Sequence, residues 1–235
     1  MPTPLQPPLT IHHCADTEAV ARFAADAVIT TAAEAIAARG VCHLALAGGT
    51  TPKRCYDMLC DAPIDWRHLH IWFGDERCLP AGDPERNDQM ADDALIHHIP
   101  IPPAQVHRIA AELGAEAAAE RYAAALTTEL TAAPAMDLLL LGIGEDGHTA
   151  SLFPDNPALM DTRLAVPVHH APKPPADRVS MGYSALHAAR RTLILVAGHG
   201  KAYAMQRILA GAPLPAARVE QSEWVIDRAA WPETD

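Results

Sequence analysis

Short apolar runs alternate along the chain with longer segments of helical periodicity. Between Asp16 and Gly40 the apolar residues recur at helical spacing, which predicts a helix that Asp16 or Thr17 caps and Gly40 ends. Two apolar runs follow, VCHLALA over 41–47 and LHIWFGD over 69–75. Because these runs are continuously apolar rather than alternating, they are typical of strands covered on both faces.

The same alternation continues through the second half of the chain. The Ala-, Glu- and Leu-rich segment from Glu112 to Leu130 predicts a helix, and Pro134 then introduces the strand MDLLLLG over 136–142. The runs LAVPVHH, RVSMGYSAL and TLILVAG follow, and the proline of the first indicates an edge or a bend. A helix from Lys201 to about residue 210 precedes the closing segment WVIDRAA.

Strands that alternate with helices predict an α/β fold with a largely parallel, doubly wound sheet flanked by helices. The 235 residues contain no internal repeat and no linker long enough to divide them, so we expect one domain over 1–235 with a Pro-rich leader over 1–10. Ligands of such open sheets bind beyond the carboxyl ends of the strands. The residues just after each strand are therefore the candidates for a site.

Composition excludes several classes of function. The net charge of −11 and the lack of any basic run argue against binding to nucleic acid. The five cysteines form no CxxC pair, which indicates reduced packing residues rather than a disulfide framework or a zinc ribbon. The sequence contains no HExxH motif, so no local histidine pattern predicts a metal site. The chain has no secretory signal and no apolar stretch of about 20 residues, so we expect a cytoplasmic protein that does not bind membranes.

The first strand end, AGGTTPK, has the composition of an anion-binding turn. Gly48 and Gly49 permit unusual backbone conformations, and Thr51 can cap the helix that follows. The N–H groups of that helix terminus attract an anion, and the hydroxyls of Thr50 and Thr51 with the ammonium of Lys53 add donors. A plain strand-to-helix turn would use the same residues, because the spacing is neither GxGxxG nor that of a Walker loop.

The strand end GDERCLP offers a carboxylate and a guanidinium. Asp75 can orient a substrate hydroxyl or a water, and Arg77 can stabilise developing negative charge. A surface turn with an Asp–Arg pair is the alternative interpretation.

The strand end GIGEDGH offers a general base. Gly142, Gly144 and Gly147 let the chain turn sharply, and Asp146 can orient a neighbouring group. His148 follows, and histidine has the unperturbed pKa best suited to accept a proton near neutral pH.

Two cations lie near later strand or helix ends. Arg178 begins RVSM and Lys201 lies in AGHGKA. A solvated surface position is the ordinary explanation for each cation, and both become ligand candidates if the pocket already holds a phosphate.

Taken together, these residues resemble the 6-phosphogluconolactonases of the pentose phosphate pathway. The resemblance lies in GGTTPK, GDERCLPAGDPERNDQMA, MDLLLLGIGEDGHTASLFP, KPPADRVSMGYSAL and AGHGKA, which follow one another in order along nearly the whole chain. It implies a single domain like that of the sugar-phosphate isomerases and deaminases. It also implies hydrolysis of 6-phospho-D-glucono-1,5-lactone to 6-phospho-D-gluconate without a metal. We expect no cofactor, and because one activated water suffices for a reactive lactone, we expect no covalent intermediate. The sequence does not settle the oligomeric state, and we expect a monomer or small homo-oligomer.

The resemblance assigns roles residue by residue. His148 corresponds to the histidine that activates water, and Asp75 and Arg77 correspond to the Asp and Arg of the family's DER motif. Gly48, Gly49 and Thr50 correspond to the Gly-rich loop, and Arg178 and Lys201 to the cations that contact phosphate. Whether Asp75 or Asp146 orients the base is left open.

Two positions depart from the family pattern. Arg86 precedes Asn87 where the family commonly has a serine, which we expect to add a cation near the cleft. His187 replaces a common asparagine, and we expect it to be structural.

Two other functions are compatible with many of the same residues. A glucosamine-6-phosphate deaminase or related aldose–ketose isomerase also carries Asp-Gly-His, but it needs a second base directed at carbon, and its block typically continues as DGHIAFNEP rather than DGHTASLFP. A non-enzymatic sugar-phosphate-binding domain would keep the phosphate loop and the cations but would not need His148.

Overall fold

The main sheet contains six parallel strands in the computed structural model, which describes residues 9–130 and 136–232. These strands are β1 (Thr10–Cys14), β2 (Cys42–Leu46), β3 (Leu69–Phe73), β5 (Leu138–Gly142), β8 (Thr192–Val196) and β9 (Ser222–Asp227). Their order across the sheet is β1-β9-β8-β5-β2-β3. A smaller antiparallel sheet has the order β4-β7-β6, formed by Asp75–Arg77 (β4), Arg178–Met181 (β7) and Ala165–Val168 (β6).

Helices flank the main sheet, which confirms the predicted α/β fold. They are α1 (Thr17–Arg39), α2 (Thr50–Leu59), α3 (Asn87–Ala94), α4 (Ala115–Glu129), α5 (Tyr183–Leu186) and α6 (Ala202–Leu209). Short 3-10 helices lie at Trp66–His68, Ile96–His98, Pro103–Gln105, Ala111–Leu113, Pro157–Met160, His199–Lys201 and Pro215–Arg218. None of the helices within the described ranges is long and apolar enough to cross a membrane.

The ends of α1 follow the sequence signals. Asp16 accepts a hydrogen bond from the Ala19 N–H at 2.8 Å, which satisfies one of the free donors of the first turn. At the other end Gly40 adopts a φ of 77° and donates to the Ile36 carbonyl. The helix therefore has the predicted cap and the predicted end.

Three local predictions are wrong in detail. The helix predicted from Glu112 begins at Ala115, because Gly114 has a φ of 87° and the residues before it form a 3-10 turn. Gly49, not Thr51, is the N-cap of α2, since the helix already begins at Thr50. The alternative interpretation of 75–77 as a surface turn fails, because these residues pair with β7 as strand β4.

Strand β1 was not recognised in the sequence. It pairs in parallel with β9, from Thr10 opposite Glu223 to Cys14 opposite Asp227. The expected leader over 1–10 thus overlaps the start of β1 at Thr10, whereas residues 1–8 and Pro134 lie outside the described residues.

Burial explains why the central strands are continuously apolar. Every residue of β2 and β8 is buried, and Trp72 and Trp224 are among the largest fully buried side chains. Two tyrosine hydroxyls bind the backbone where strands leave the sheet: Tyr56 of α2 contacts the N–H and carbonyl of Ala47, and Tyr122 of α4 contacts those of Phe73. These bonds satisfy buried backbone groups at the end of the sheet that faces the candidate site.

Candidate active site

A cleft of about 400 Å³ opens at the carboxyl ends of β2, β3 and β5. The chain changes direction across the sheet here, since β3 lies on one side of β2 and β5 on the other. Open α/β sheets bind ligands at such a switch point. Glycines from all three strand ends line the cleft, at Gly48, Gly74 and Gly142.

His148 lines this cleft from the loop after β5, beside Asp146. Its Nδ1 lies 2.5 Å from Asp146 Oδ1, which also accepts a hydrogen bond from the His148 backbone N–H at 3.1 Å. The imidazole packs against Phe153, with ring centroids 4.5 Å apart. When Nδ1–H of a neutral imidazole faces a carboxylate, Nε2 is the atom that accepts a proton. Among the described contacts, Asp146 and not Asp75 orients the imidazole.

The Asp146 carboxylate is ionised at physiological pH. Burial acts to raise the pKa of Asp146, but the hydrogen bond and the charge of His148 outweigh burial and lower the pKa to about 2. An ionised carboxylate at Nδ1 fixes the tautomer and stabilises the imidazolium that forms when Nε2 takes a proton.

The glycines of GIGEDGH are explained by contacts. A Cβ on Gly144 would overlap the imidazole of His148 and lie 2.6 Å from Asp146 Oδ1. Gly147 has a φ of 85°, and a Cβ there would lie 2.6 Å from a Leu214 methyl. The loop therefore brings acid and base together only with glycine at these positions.

Asp75 is buried and held by two side chains. Its Oδ2 accepts a hydrogen bond from Ser151 Oγ at 2.5 Å, and its Oδ1 accepts one from Asn87 Nδ2 at 3.0 Å. Asn87 Nδ2 also donates to the Asp75 carbonyl at 2.9 Å. The carboxylate thus lines the cleft in a fixed orientation, as a hydrogen-bond acceptor for a ligand hydroxyl or water.

The two residues after Asp75 have different surroundings. Arg77 lines the cleft, and its Nη1 donates to the Glu85 carbonyl at 2.6 Å. Glu76 is buried behind the cleft and accepts three backbone hydrogen bonds, from Arg77, Asn87 and Asp88.

Arg86 does not add a cation to the cleft, so that expectation is wrong. Its guanidinium is 2% exposed and donates to both oxygens of Asp88, to Glu112 and to the Ile109 carbonyl. Asp88 and Ile109 lie in the interior and Glu112 at the surface, and the two carboxylates neutralise the charge of Arg86. His187, by contrast, is placed as expected: its ring stacks on Tyr183 and hydrogen-bonds to the Arg218 carbonyl.

Among the described residues, four cationic side chains line the cleft. They are Arg77, Lys173, Arg178 and Lys201. The buried guanidinium of Arg178 donates to the carbonyls of Lys173 and Pro174 at 3.1 and 3.2 Å. Burial lowers the pKa of Arg178, yet a guanidinium remains protonated in proteins. An acidic protein thus carries a local positive field.

Only part of the AGGTTPK segment reaches the cleft. Ala47, Gly48 and Gly49 line it, and a Cβ on Gly48 would overlap the Asn87 side chain. Thr50, Thr51 and Lys53 are outside the described lining. The Lys53 ammonium lies 3.4 Å from the Asp57 carboxylate, one turn along α2, so the helix directs it away from the site.

Sequence reasoning did not assign Asn87, Ser151, Phe153 or Lys173 to the site. Each lay in a stretch that carried the resemblance: Asn87 in ERNDQ, Ser151 and Phe153 in DGHTASLFP, and Lys173 in KPPADRVSM. The family resemblance therefore pointed to these stretches, but the spacing of residues along the chain does not predict which of their side chains face the cleft.

Comparison with known proteins agrees with this geometry. The family described as glucosamine-6-phosphate isomerases/6-phosphogluconolactonase matches residues 15–231. The 6-phosphogluconolactonase of Streptomyces coelicolor is 41% identical over 245 residues, covering 95% of this chain and 93% of its own. That of Mycobacterium tuberculosis is 35% identical, covering 92% and 94%.

Solved structures share the fold. The 6-phosphogluconolactonase of Thermotoga maritima superposes with a TM-score of 0.85 at 26% identity, covering 94% of this chain and all of its own. A monomeric glucosamine-6-phosphate deaminase has a TM-score of 0.78 at 24% identity, which shows a common fold alone. With the family matched from residue 15 to residue 231, the chain belongs to the glucosamine-6-phosphate isomerase/6-phosphogluconolactonase family.

Proposed function

We propose that the chain is a carboxylic ester hydrolase that converts 6-phospho-D-glucono-1,5-lactone to 6-phospho-D-gluconate, the lactonase step of the pentose phosphate pathway. The observation that carries the proposal is the Asp146–His148 pair, whose imidazole lines a cleft that cationic side chains also line. Relatives 35–41% identical over more than nine-tenths of the chain are 6-phosphogluconolactonases, which supports the same substrate.

The base is His148. A lactone is an ester, so its hydrolysis requires an activated water, stabilisation of the oxyanion, and a proton for the departing ring oxygen. Nε2 of His148 takes the proton of the attacking water while Asp146 holds Nδ1–H and stabilises the imidazolium. The same Nε2–H then protonates the ring oxygen as the C1–O bond breaks, which restores the neutral imidazole. No covalent enzyme intermediate is needed.

The cationic side chains of the cleft position the substrate. Arg178 and Lys201, with Lys173 beside them, bind the phosphate at the distal end of the substrate. The backbone of the loop at Gly48 and Gly49 approaches the ligand closely because it carries no side chain. Holding the phosphate converts binding energy into alignment of C1 with the water.

Asp75 and Arg77 complete the site. Asp75, fixed by Ser151 and Asn87, accepts a hydrogen bond from a sugar hydroxyl or from the attacking water. Arg77 stabilises the negative charge that develops on the C1 oxygen. The cytoplasmic location and the monomer or small homo-oligomer expected from the sequence stay predictions.

The test is product formation from freshly generated lactone, with 6-phosphogluconate dehydrogenase as the coupling enzyme and the spontaneous rate subtracted. His148→Asn is compared with His68→Asn, which changes an exposed histidine bonded to Asp65. Loss of one general base lowers kcat by about 10²- to 10⁴-fold, and the control leaves it unchanged.

Two results would overturn the proposal. The first is a wild-type rate that does not exceed spontaneous hydrolysis. The second is a His148→Asn enzyme as fast as the wild type, which would move the base to another residue.

A further inference from the structure

Two histidines that are distant in sequence meet at the edge of the main sheet, outside the cleft. His70 lies on the edge strand β3, and His107 lies just after the 3-10 helix Pro103–Gln105. His70 Nδ1 and His107 Nε2 are 2.9 Å apart. Glu129, the last residue of α4, adds a carboxylate, so that one ligand atom from each residue lies within 4.8 Å of the other two.

The two imidazoles are held in place by the fold. The His107 backbone N–H donates to the Ile71 carbonyl at 2.8 Å, and the His107 ring stacks on Trp72 with centroids 3.9 Å apart and planes at 10°. Trp72 is fixed in turn, since its Nε1–H donates to His43 Nδ1 at 3.1 Å. These contacts fix the plane of the His107 ring, and the His70 ring stacks on it with centroids 5.1 Å apart.

The surroundings of the two histidines favour neutral rings. Burial lowers the pKa of His70, and burial together with the neighbouring His70 lowers the pKa of His107 to about 4, against the opposing charge of Glu129. A hydrogen bond joins His70 Nδ1 and His107 Nε2, so the proton of the donating nitrogen must move to the other nitrogen of its ring before both atoms can bind one metal ion.

We propose that His70, His107 and Glu129 bind one divalent transition-metal ion of the zinc type. Two imidazole nitrogens and one carboxylate oxygen are a donor set that zinc takes, with water in the fourth position. Tetrahedral bonds of about 2.1 Å place ligand atoms roughly 3.4 Å apart, so the two nitrogens separate by about half an ångström. Glu129 is exposed at a helix end, and its side chain can swing to close the third bond.

The site joins three parts of the fold: strand β3, the loop at His107, and the carboxyl end of α4. A metal bound only by the folded chain stabilises it through mass action. The proposal departs from the expectation that no metal binds, which rested on the lack of a local histidine motif. The three residues lie too far apart in sequence for any local motif to reveal them.

The experiment uses the untagged full chain, stripped with a chelator and titrated with Zn²⁺ by calorimetry and with Co²⁺ by visible absorption. We expect one site per chain, tetrahedral Co²⁺ bands and a raised Tm. His70→Gln and His107→Gln weaken Zn²⁺ binding by roughly tenfold or more, the least that losing a metal-supporting group costs. Glu129→Gln, an exposed change that leaves the histidines intact, also weakens it, whereas His97→Gln, an exposed histidine of the 3-10 helix Ile96–His98, leaves it unchanged.

The proposal is overturned if the wild-type chain does not bind Zn²⁺. It is also overturned if Glu129→Gln and His107→Gln both keep the wild-type affinity and Co²⁺ spectrum, because the ion then occupies another site. Should His70→Gln or His107→Gln fail to fold, Glu129→Gln decides the outcome on its own.

Discussion

Replacing Asp146 by Asn tests the carboxylate that orients the base. The substitution keeps the size of the side chain and removes its charge. Asp146 is a positioning residue, because it contacts the imidazole of His148 at Nδ1. Its effect on catalysis therefore passes through His148.

The size of the effect follows from the pair itself. The pKa of Asp146 falls from its ordinary 3.8 to about 2, which corresponds to roughly 2 kcal/mol. Because the side chain is 41% exposed, solvent screening leaves about 1 kcal/mol, or about a fivefold change in rate. The amide also offers N–H to Nδ1 and so favours the wrong tautomer. We therefore expect kcat to fall about 10- to 100-fold.

The assay is a double-mutant cycle on lactone hydrolysis. Asp146→Asn lowers kcat with little change in KM. It has no further effect in a His148→Asn background, because Asp146 and His148 act as a single catalytic pair that either change removes. Glu145→Gln is the matched control, since it removes a charge from an exposed neighbour in the same loop. A rise in KM alone, or an equal loss in both backgrounds, would refute the reasoning.

Three further substitutions separate the site from its surroundings. Gly144→Ala forces a methyl into the imidazole of His148 and lowers kcat at least tenfold, whereas Gly40→Ala, outside the described cleft lining and with nothing within 4 Å of the added Cβ, costs stability at its positive φ but keeps kcat. Lys201→Met raises KM about 10- to 100-fold through the loss of a charged hydrogen bond of roughly 1.5–3 kcal/mol, whereas Lys53→Met leaves KM unchanged in the same kinetic assay. Arg86→Met leaves buried carboxylates without their partner and lowers the free energy of unfolding in urea by about 3–5 kcal/mol, with kcat of the folded enzyme retained.

Each of these predictions has a contradicting outcome. Equal kcat values for the two alanine variants would mean that the loop tolerates the overlap without moving the base. Equal KM values for the two lysine variants would remove Lys201 from the phosphate site. A fall in kcat of Arg86→Met without loss of stability would restore the original expectation that Arg86 acts in the cleft.

Much of the fold could be predicted because local patterns carry it. The cap at Asp16 and the end at Gly40 depend on hydrogen bonds within one turn of the chain. The continuous apolar runs of β2, β5 and β8 reflect burial on both faces. Strand β1 is not evident from the sequence. Its residues, TIHHC, are largely polar and form a strand only through pairing with β9.

Some features of the candidate site could be predicted from the sequence, and others depend on the tertiary structure. His148, the proposed base, and the carboxylates Asp75 and Asp146 lie just beyond apolar strands, so the sequence alone indicates that they lie at the cleft edge of the sheet. Which carboxylate contacts the imidazole was not predictable, because the answer depends on the turn at Gly147 and on the pairing of β4 with β7.

The sequence by itself determined the α/β class and the strand ends that form the cleft, because each depends on residues that are neighbours along the chain. Only the tertiary structure decided that Arg86 turns inward to Asp88 and Glu112, that Lys53 turns away, and that His70 meets His107. Each of these side chains has partners set by the packing of separate elements or by the direction of a helix face. A linear pattern of residue types does not encode such distances.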